Sequence, residues 1–441
     1  YFRKGTDPTL FVIYLKGGGA CYDEQSCTSR AKTDLGSSKK WASTMQGRLP
    51  DASKSASPNE LLTAARRGMS FYETIQCEDG HWAGDYGGPM FLMPGLITVW
   101  YVTGKPESII SPPKARAMLL YLRNHQQTDG GWGTHIESPS TMFGSTLSYV
   151  AARLLGCPAS DPAMVRGRDF IRSHGGALYS ASWAKLWLCV LGAMDWEGHN
   201  PVPPEMWLLP DWCPFHPGRL WCHCRMVYLP MCYLYGKKFV YSGAAPVEGG
   251  SGGETVDPLV AQLREELYDP QAVGAASYDD IPWNRTRHWV ADIDNYSPVH
   301  PLMAFLQDLL RNVWERSGGF GLLRRLRGAG LAFAKDYMAA EDLQTNFVDI
   351  GPVNKALNML VCWVAGDEEQ FQRHVLRVPD YLWVAEDGMK MQGYNGSQCW
   401  DTSFAVQAFM ETGLADEFPL AVRRAFGYFE RTQILSTHVS Q

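Results

Sequence analysis

From about Pro58 onward the chain keeps returning to one pattern. Apolar residues recur three and four positions apart, and Gly, Pro and Asp break the runs. Segments such as "ELLTAARRGMSFYETI", "PPKARAMLLYLRNHQQ", "STMFGSTLSYVAARLLG", "ASWAKLWLCVLGAMDW", "DPLVAQLREELY", "VHPLMAFLQDLLRNVWER", "VNKALNMLVCWVAG", "CWDTSFAVQAFMETGL" and "LAVRRAFGYFERTQ" place these residues on one side of a helix. Pro112-Pro113 reads as a helix start, and Gly156 and Gly413 as stops. Strand and helix do not alternate, so the pattern predicts hairpin-like helices stacked as a ring or solenoid, with no sheet beyond short hairpins.

The beginning differs. Leu10 to Leu15 form an apolar, β-branched run that Lys16 and three glycines follow. That order predicts a buried strand and a sharply bent loop. Cys21 and Cys27 are close enough in sequence to bridge.

The helical region uses the same short grammar twice. Gln76, Gly80 and Trp82 form one Gln-x-x-x-Gly-x-Trp copy, and Gln126, Gly130 and Trp132 form the second. The glutamine falls near a helix end, the glycine permits a turn, and the indole is expected to fold back onto the amide and cap the next helix. The motif is thus a structural clamp between helices. Arg424, Ala425, Tyr428 and Gln433 begin a further copy without reaching its Gly-x-Trp.

Composition adds an aromatic surplus. Sixteen tryptophans, many beside Gly, Asp or Gln, suggest a surface or cavity lined with rings. The net charge of -6 and the lack of a basic stripe give no sign of a nucleic-acid partner. No apolar run is long enough for a membrane-spanning helix, and Tyr1-Phe2-Arg3-Lys4 does not open like a signal peptide. The 11 cysteines read mostly as reduced, buried thiols. Cys213, His216, Cys222, His223 and Cys224 have the composition of metal ligands but not two separated pairs on short turns, so no metal is expected there. Asp279-Asp280 and Asp292-Ile293-Asp294 read as solvated turns and not as magnesium carboxylates. Gly249-Gly250-Ser251-Gly252-Gly253 fits a nucleophile elbow formally but follows no strand, and reads as a loop.

Two resemblances follow from particular strings. The first forty-five residues, through Gly17-Gly18-Gly19, Cys21 and Leu35-Gly36-Ser37-Ser38-Lys39, resemble the pectin acetylesterase and Notum family of α/β-hydrolases. Ala20 stands where that family has tryptophan, and the family's serine elbow is not found. From about Pro58 to the end the chain resembles the oxidosqualene cyclases. "DGHWAGDYGGPMFLMPGLI", "DGGWGTHIESPSTMFGSTLSYVAARLLG", "PEMWLLPDWCPFHPGRLWCHCRMVYLPMCYLYGK", "IGPVNKALNMLVCW" and "YLWVAEDGMKMQGYNGSQCWDTSFAVQA" carry that likeness.

The cyclase resemblance implies a mainly α, α/α-barrel (toroid) fold with a short hydrolase-like strand-loop fragment in front. It implies an esterase-like fragment at 1–45, a junction at 46–57, an N-terminal α/α-barrel at 58–295 and an incomplete catalytic α/α-barrel at 296–441. The implied chemistry is cyclisation of (3S)-2,3-oxidosqualene through carbocations, without a cofactor, by a monotopic protein on endoplasmic-reticulum or lipid-droplet membranes. Aromatic faces exclude water and stabilise each cation by ~0.5–2 kcal/mol. By family match Trp183, Trp221 and Trp400 line the cavity with Tyr86 close by, and His223 stands near the end of the reaction path. Phe347, four residues before Gly351, takes a position where plant cycloartenol synthases carry tyrosine. The family's general acid lies in an Asp-Cys-Thr-Ala-Glu motif, which does not occur in these 441 residues. The resemblance therefore implies a chain cut within its second barrel, joined to a foreign start, and inactive as it stands. The competing readings are a carbohydrate-ester hydrolase, from the first residues alone, and a non-catalytic lipid-binding remnant.

Overall fold

The computed structural model describes residues 2–4, 11–13, 57–84, 87–243, 256–296, 298–317 and 321–435. At the start, β1 (Phe2–Lys4) pairs antiparallel with β2 (Phe11–Ile13), Arg3 opposite Val12. The expected strand is there over its central residues. Gly17 to Gly19, Cys21, Cys27 and the Gly-rich stretch at 249–253 lie outside the described residues.

Beyond residue 57 the chain is helical, as its periodicity predicts. The helices are α1 (Pro58–Thr74), α2 (Met93–Val102), α3 (Pro112–Asn124), α4 (Met142–Leu154), α5 (Pro162–Ser173), α6 (Ser182–Leu191), α7 (Cys222–Lys237) and α8 (Pro258–Leu267). After them come α9 (Pro301–Leu309), α10 (Gly321–Gln344), α11 (Pro352–Val364), α12 (Glu368–Arg377), α13 (Gln398–Glu411) and α14 (Pro419–Thr432). Half of these begin on proline, whose missing N–H costs nothing in a first turn. Ser57 and Glu60 add a reciprocal capping box to α1. The strands described after residue 57 are two short hairpins. In one, β3 (Trp132–Gly133) pairs with β4 (Ser140–Thr141). In the other, β5 (Leu382–Ala385) pairs with β6 (Gly388–Met391).

The chain forms two compact units. Residues 57–84 and 396–435 belong to one, and 87–395 to the other. Inside the second unit α10 packs on α7, and α11 packs on α2, α7 and α12. The core of the second unit is nearly all aliphatic and aromatic: Leu96, Ile97, Met118, Tyr149, Ile171, Leu188, Leu234 and Leu360 are buried together. The smaller unit has its own core of Met69, Trp82, Phe409, Phe418, Ala421 and Ala425.

Both clamps have the same geometry, displaced by 50 positions (126 − 76). Gln76 Nε2 donates to Gly80 O and Ala421 O, both at 2.9 Å. Gln126 Nε2 donates to Gly130 O at 2.8 Å and Ala163 O at 2.7 Å. Trp82 Nε1 donates to Tyr72 O at 2.8 Å, and Trp132 Nε1 to Leu122 O at 2.7 Å. Gly80 and Gly130 have φ of 99° and 89°, and a Cβ on either meets a carbonyl oxygen of the partner helix (Arg424 O at 2.1 Å, Arg166 O at 2.6 Å). The expected clamp is therefore real, but its wiring differs from the expected one. The amide ties its own turn to the first turn of a distant helix, α14 or α5, and the indole N–H closes the helix that precedes it. The reason is that helix ends leave unpaired carbonyls, and both side chains are donors.

Candidate functional site

Helix α7 opens on the aromatic pair that the sequence singled out. Trp221 is its N-cap and His223 its second residue, and their ring centroids are 4.5 Å apart. Both are exposed, Trp221 to 68%. A Cβ on Gly351 would lie 3.8 Å from His223 Nδ1, so the "IGP" turn before α11 faces this histidine. One turn further along α7, Tyr228 meets the half-buried Trp183 of α6 edge-on at 6.5 Å. Trp183, Trp221, His223 and the Gly351 turn thus gather around the first half of α7. The approach to it, Leu208, Leu209, Trp212, Phe215 and Leu220, is also exposed and apolar.

Trp400, near the start of α13 in the smaller unit, is 68% exposed and has Phe404 at 5.9 Å. Tyr86 lies outside the described residues. Phe347 is fully buried, with its ring edge-on to His374 at 5.0 Å and the Arg373 guanidinium 4.1 Å from its centroid. Asp294 is no solvated turn residue: its carboxylate accepts from Met142 N (2.8 Å) and Phe143 N (2.7 Å) and closes the start of α4.

Phe347 belongs to a buried polar cluster that the sequence reading missed. Glu341 and Asp342 come from the end of α10, Asn354, Lys355, Asn358 and Cys362 from α11, and His374 from α12. Between α10 and α11, Asn346, Phe347 and Asp349 all take positive φ (50°, 62° and 67°). Tyr381 Oη holds this turn by donating to Val348 O at 2.7 Å. Lys355 Nζ donates to Phe347 O at 2.5 Å and lies 2.8 Å from His374 Nδ1. Glu341 accepts from Ile350 N (3.0 Å), Asn354 Nδ2 (2.8 Å) and Asn358 Nδ2 (3.2 Å). Burial, with the Asp349 charge adding, raises the Glu341 carboxyl to about 7, and burial lowers Lys355 to about 8. Burial works against the His374 charge too, but the Asp342 and Asp349 carboxylates that flank the ring override it and hold it at about 10. The one sequence signal was in α11, where Asn354, Lys355 and Asn358 sit at helical spacing inside an apolar run.

Comparisons with known proteins agree with this helical body. Residues 66–363 match the family described as squalene-hopene cyclase N-terminal domain, and residues 1–63 match pectinacetylesterase. The chain is 44% identical to the cycloartenol synthase of Dictyostelium discoideum over 98% of this chain and 54% of that protein. It is 44% identical to the lanosterol synthase of Mus musculus over 84% of this chain and 47% of that one. With the alpha-onocerin synthase of Lycopodium clavatum it shares 38% over 86% of this chain and 48% of that one. The chain spans about half the length of the curated relatives it matches. A match over more than half of its residues, on a mainly α-helical fold, places this chain in the squalene-hopene and oxidosqualene cyclase family.

Proposed function

We propose that this chain corresponds to about half of an oxidosqualene cyclase, an intramolecular transferase of triterpenoid and sterol synthesis. The observation that carries the reading is the Trp221–His223 pair at the start of α7, facing the Gly351 turn with Trp183 and Tyr228 behind it. A wall of rings suits a reaction that runs through carbocations: their faces carry negative quadrupoles, and their bulk excludes the water that quenches cations. In this reading Trp183 and Trp221 shape the cavity wall. His223 positions or accepts the last proton. No cofactor is required, because the energy resides in the strained epoxide.

The exposed Trp212 and Phe215 support peripheral binding to an endoplasmic-reticulum or lipid-droplet surface. No described helix is long and apolar enough to cross a membrane.

Epoxide opening needs a strong, buried, protonated acid. The sequence given contains no Asp-Cys-Thr-Ala-Glu, the motif that would supply such an acid. The 441 residues alone should therefore form no cyclic product in a yeast strain lacking its own cyclase, with triterpenes read by mass spectrometry. A chain extended with the acid-bearing segment of a relative should form one, and Trp221→Leu or His223→Ala in that chain should change the product profile. Product from the 441 residues overturns the assignment of the acid. Failure of the extended, folded chain overturns the cyclase reading.

A further inference from the structure

Asp342, Cys362 and His374 are all buried, and their ligand-type atoms lie within 4.8 Å of one another. They come from three different helices, α10, α11 and α12, so no sequence spacing announces the group. Among the described residues, the two groups with this proximity are this one and the adjoining Glu341, Asp342 and Asp349. Cys213, His216, Cys222, His223 and Cys224, which looked like ligands by composition, appear in neither.

Hydrogen bonding leaves the group incomplete. His374 Nε2 and both carboxylate oxygens of Asp349 are buried and make no hydrogen bond. His374 Nε2 stands 3.3 Å from Asp342 Oδ2, Nδ1 stands 3.4 Å from Asp349 Oδ2, and Lys355 Nζ stands 3.7 Å from the same oxygen. Charge-assisted hydrogen bonds close to about 2.7–2.9 Å, so all three contacts are long. Buried polar atoms with no partner call for an explanation, and an ion is one. With metal–ligand bonds of about 2.0–2.3 Å, neighbouring ligands of a tetrahedral zinc stand roughly 3.3–3.7 Å apart. The separation of His374 Nε2 from Asp342 fits that edge.

We propose that Asp342, Cys362 and His374 bind one zinc-class divalent cation through a carboxylate oxygen, Sγ and Nε2, with Asp349 orienting the histidine from behind through Nδ1. A water completes the tetrahedron. Asp349 then takes the role that carboxylates commonly have beside a metal-bound histidine, fixing the tautomer and the ring plane. The protons balance. Zinc displaces the Cys362 thiol proton and the Nε2 proton to solvent. Nδ1 keeps its own proton on the side of Asp349 Oδ2, 3.4 Å away, and Lys355 keeps its proton count and its bond to Phe347 O. Two positive charges enter and two protons leave, so the net charge of the buried cluster is unchanged. A surface depression of about 480 Å³, lined by Thr345, Val348, Asp349, Arg377, Asp380 and Tyr394, opens beside the cluster at Asp349. The bound ion would tie α10, α11 and α12 together beneath the turn that presents Gly351 to His223.

Cobalt(II) is the probe that tests this. The full chain is stripped with chelator, titrated with cobalt(II), and then challenged with zinc(II). One equivalent should give the visible bands of a tetrahedral site and a thiolate-to-cobalt charge-transfer band, and zinc should abolish both. Cys362→Ser should lose the charge-transfer band and keep visible bands, and His374→Gln should weaken binding at least tenfold. A variant with Cys213, Cys222 and Cys224 all changed to serine should behave as wild type. Circular dichroism checks that each variant is helical. If Cys362→Ser does not fold, the titration of the triple-serine variant decides alone: retention of the charge-transfer band there supports the site. No stoichiometric binding by the wild-type chain overturns the proposal, and so does loss of the band in the triple-serine variant.

Discussion

The sharpest test of the fold is a pair of changes at Gln126. In the structure its amide nitrogen donates to Gly130 O and Ala163 O, and its oxygen accepts from Arg166 at 2.6 Å. Gln126→Ala removes three hydrogen bonds and leaves two carbonyls short of a partner. At about 1 kcal/mol net per bond, reduced because the site is only partly buried, the loss is about 2–3 kcal/mol. Gln126→Glu keeps the shape, the planar head and the contact to Arg166, but turns a lone pair toward two carbonyl oxygens. It should cost as much as alanine or more. If the side chain acted by stacking its flat head on Trp132, glutamate would be nearly neutral, so the two accounts separate. Hydrogen exchange of the 126–133 turn and the first turn of α5 reads the loss locally. Free energy of 2–3 kcal/mol corresponds to exchange about 30- to 150-fold faster. Wild-type protection in Gln126→Glu would refute the reasoning. Gln76→Ala should cost slightly less, about 2 kcal/mol, because Gln76 Oε1 has no partner to lose.

Three further outcomes follow from buried charge. Arg153 meets Glu266 through Nε and Nη2, both at 2.9 Å, and Tyr149 Oη adds a bond at 2.8 Å; Arg153→Met strands that carboxylate and should cost about 3–5 kcal/mol in urea unfolding. Lys185 Nζ, buried, donates to Thr286 O (2.8 Å), Arg287 O (3.2 Å) and Trp289 O (3.0 Å), so Lys185→Met should destabilise by roughly 2–4 kcal/mol and free the 286–289 backbone for exchange. Glu341, held at about 7 against an ordinary 4.5, favours the folded state fully below pH 4.5, and that contribution is lost as pH rises through 7. In the presence of chelator, Glu341→Gln should therefore gain on wild type by about 3 kcal/mol between pH 4.5 and pH 8, and a constant difference across that range would show that Glu341 stays ionised throughout.

How far the sequence could be read depended on how local the signal was. Helices such as α1, α3 and α11 were plain in it, because one apolar face at helical spacing is enough to define them. α10 was missed: Gly328 and Gly330 interrupt its pattern, and Gly330 is there because the backbone of Pro204 passes 2.7 Å from its Cβ position. The β5–β6 hairpin hid inside "YLWVAEDGMKM", whose one helix-breaking glycine is the position that packs on α3. Trp221 and His223 were singled out by the family resemblance, which a short continuous string at the start of α7 carries. The cluster of Asp342, Cys362 and His374 was not, since three segments must fold before those residues meet. Cys213 to Cys224 have the composition of ligands but not the proximity, which falls instead to residues that no spacing connects.

The two clamps, alike in geometry, are unlike in the order in which a ribosome delivers them. Gln126 and its partner Ala163 are 37 residues apart, so this clamp can close almost as soon as α5 emerges. Gln76 must wait for Ala421, 345 residues later. At about 5–20 residues per second the second delay exceeds the first by roughly 15–60 s. Closing the longer loop also costs about 2 kcal/mol more in chain entropy, which the same two hydrogen bonds must offset. During that interval α1 and Trp82 have no α13 or α14 to cover them, and Met69, Trp82 and their neighbours stand open to water or to a chaperone. The first helix of the body is thus among the last to be secured, and the smaller unit is where synthesis is most exposed to misfolding.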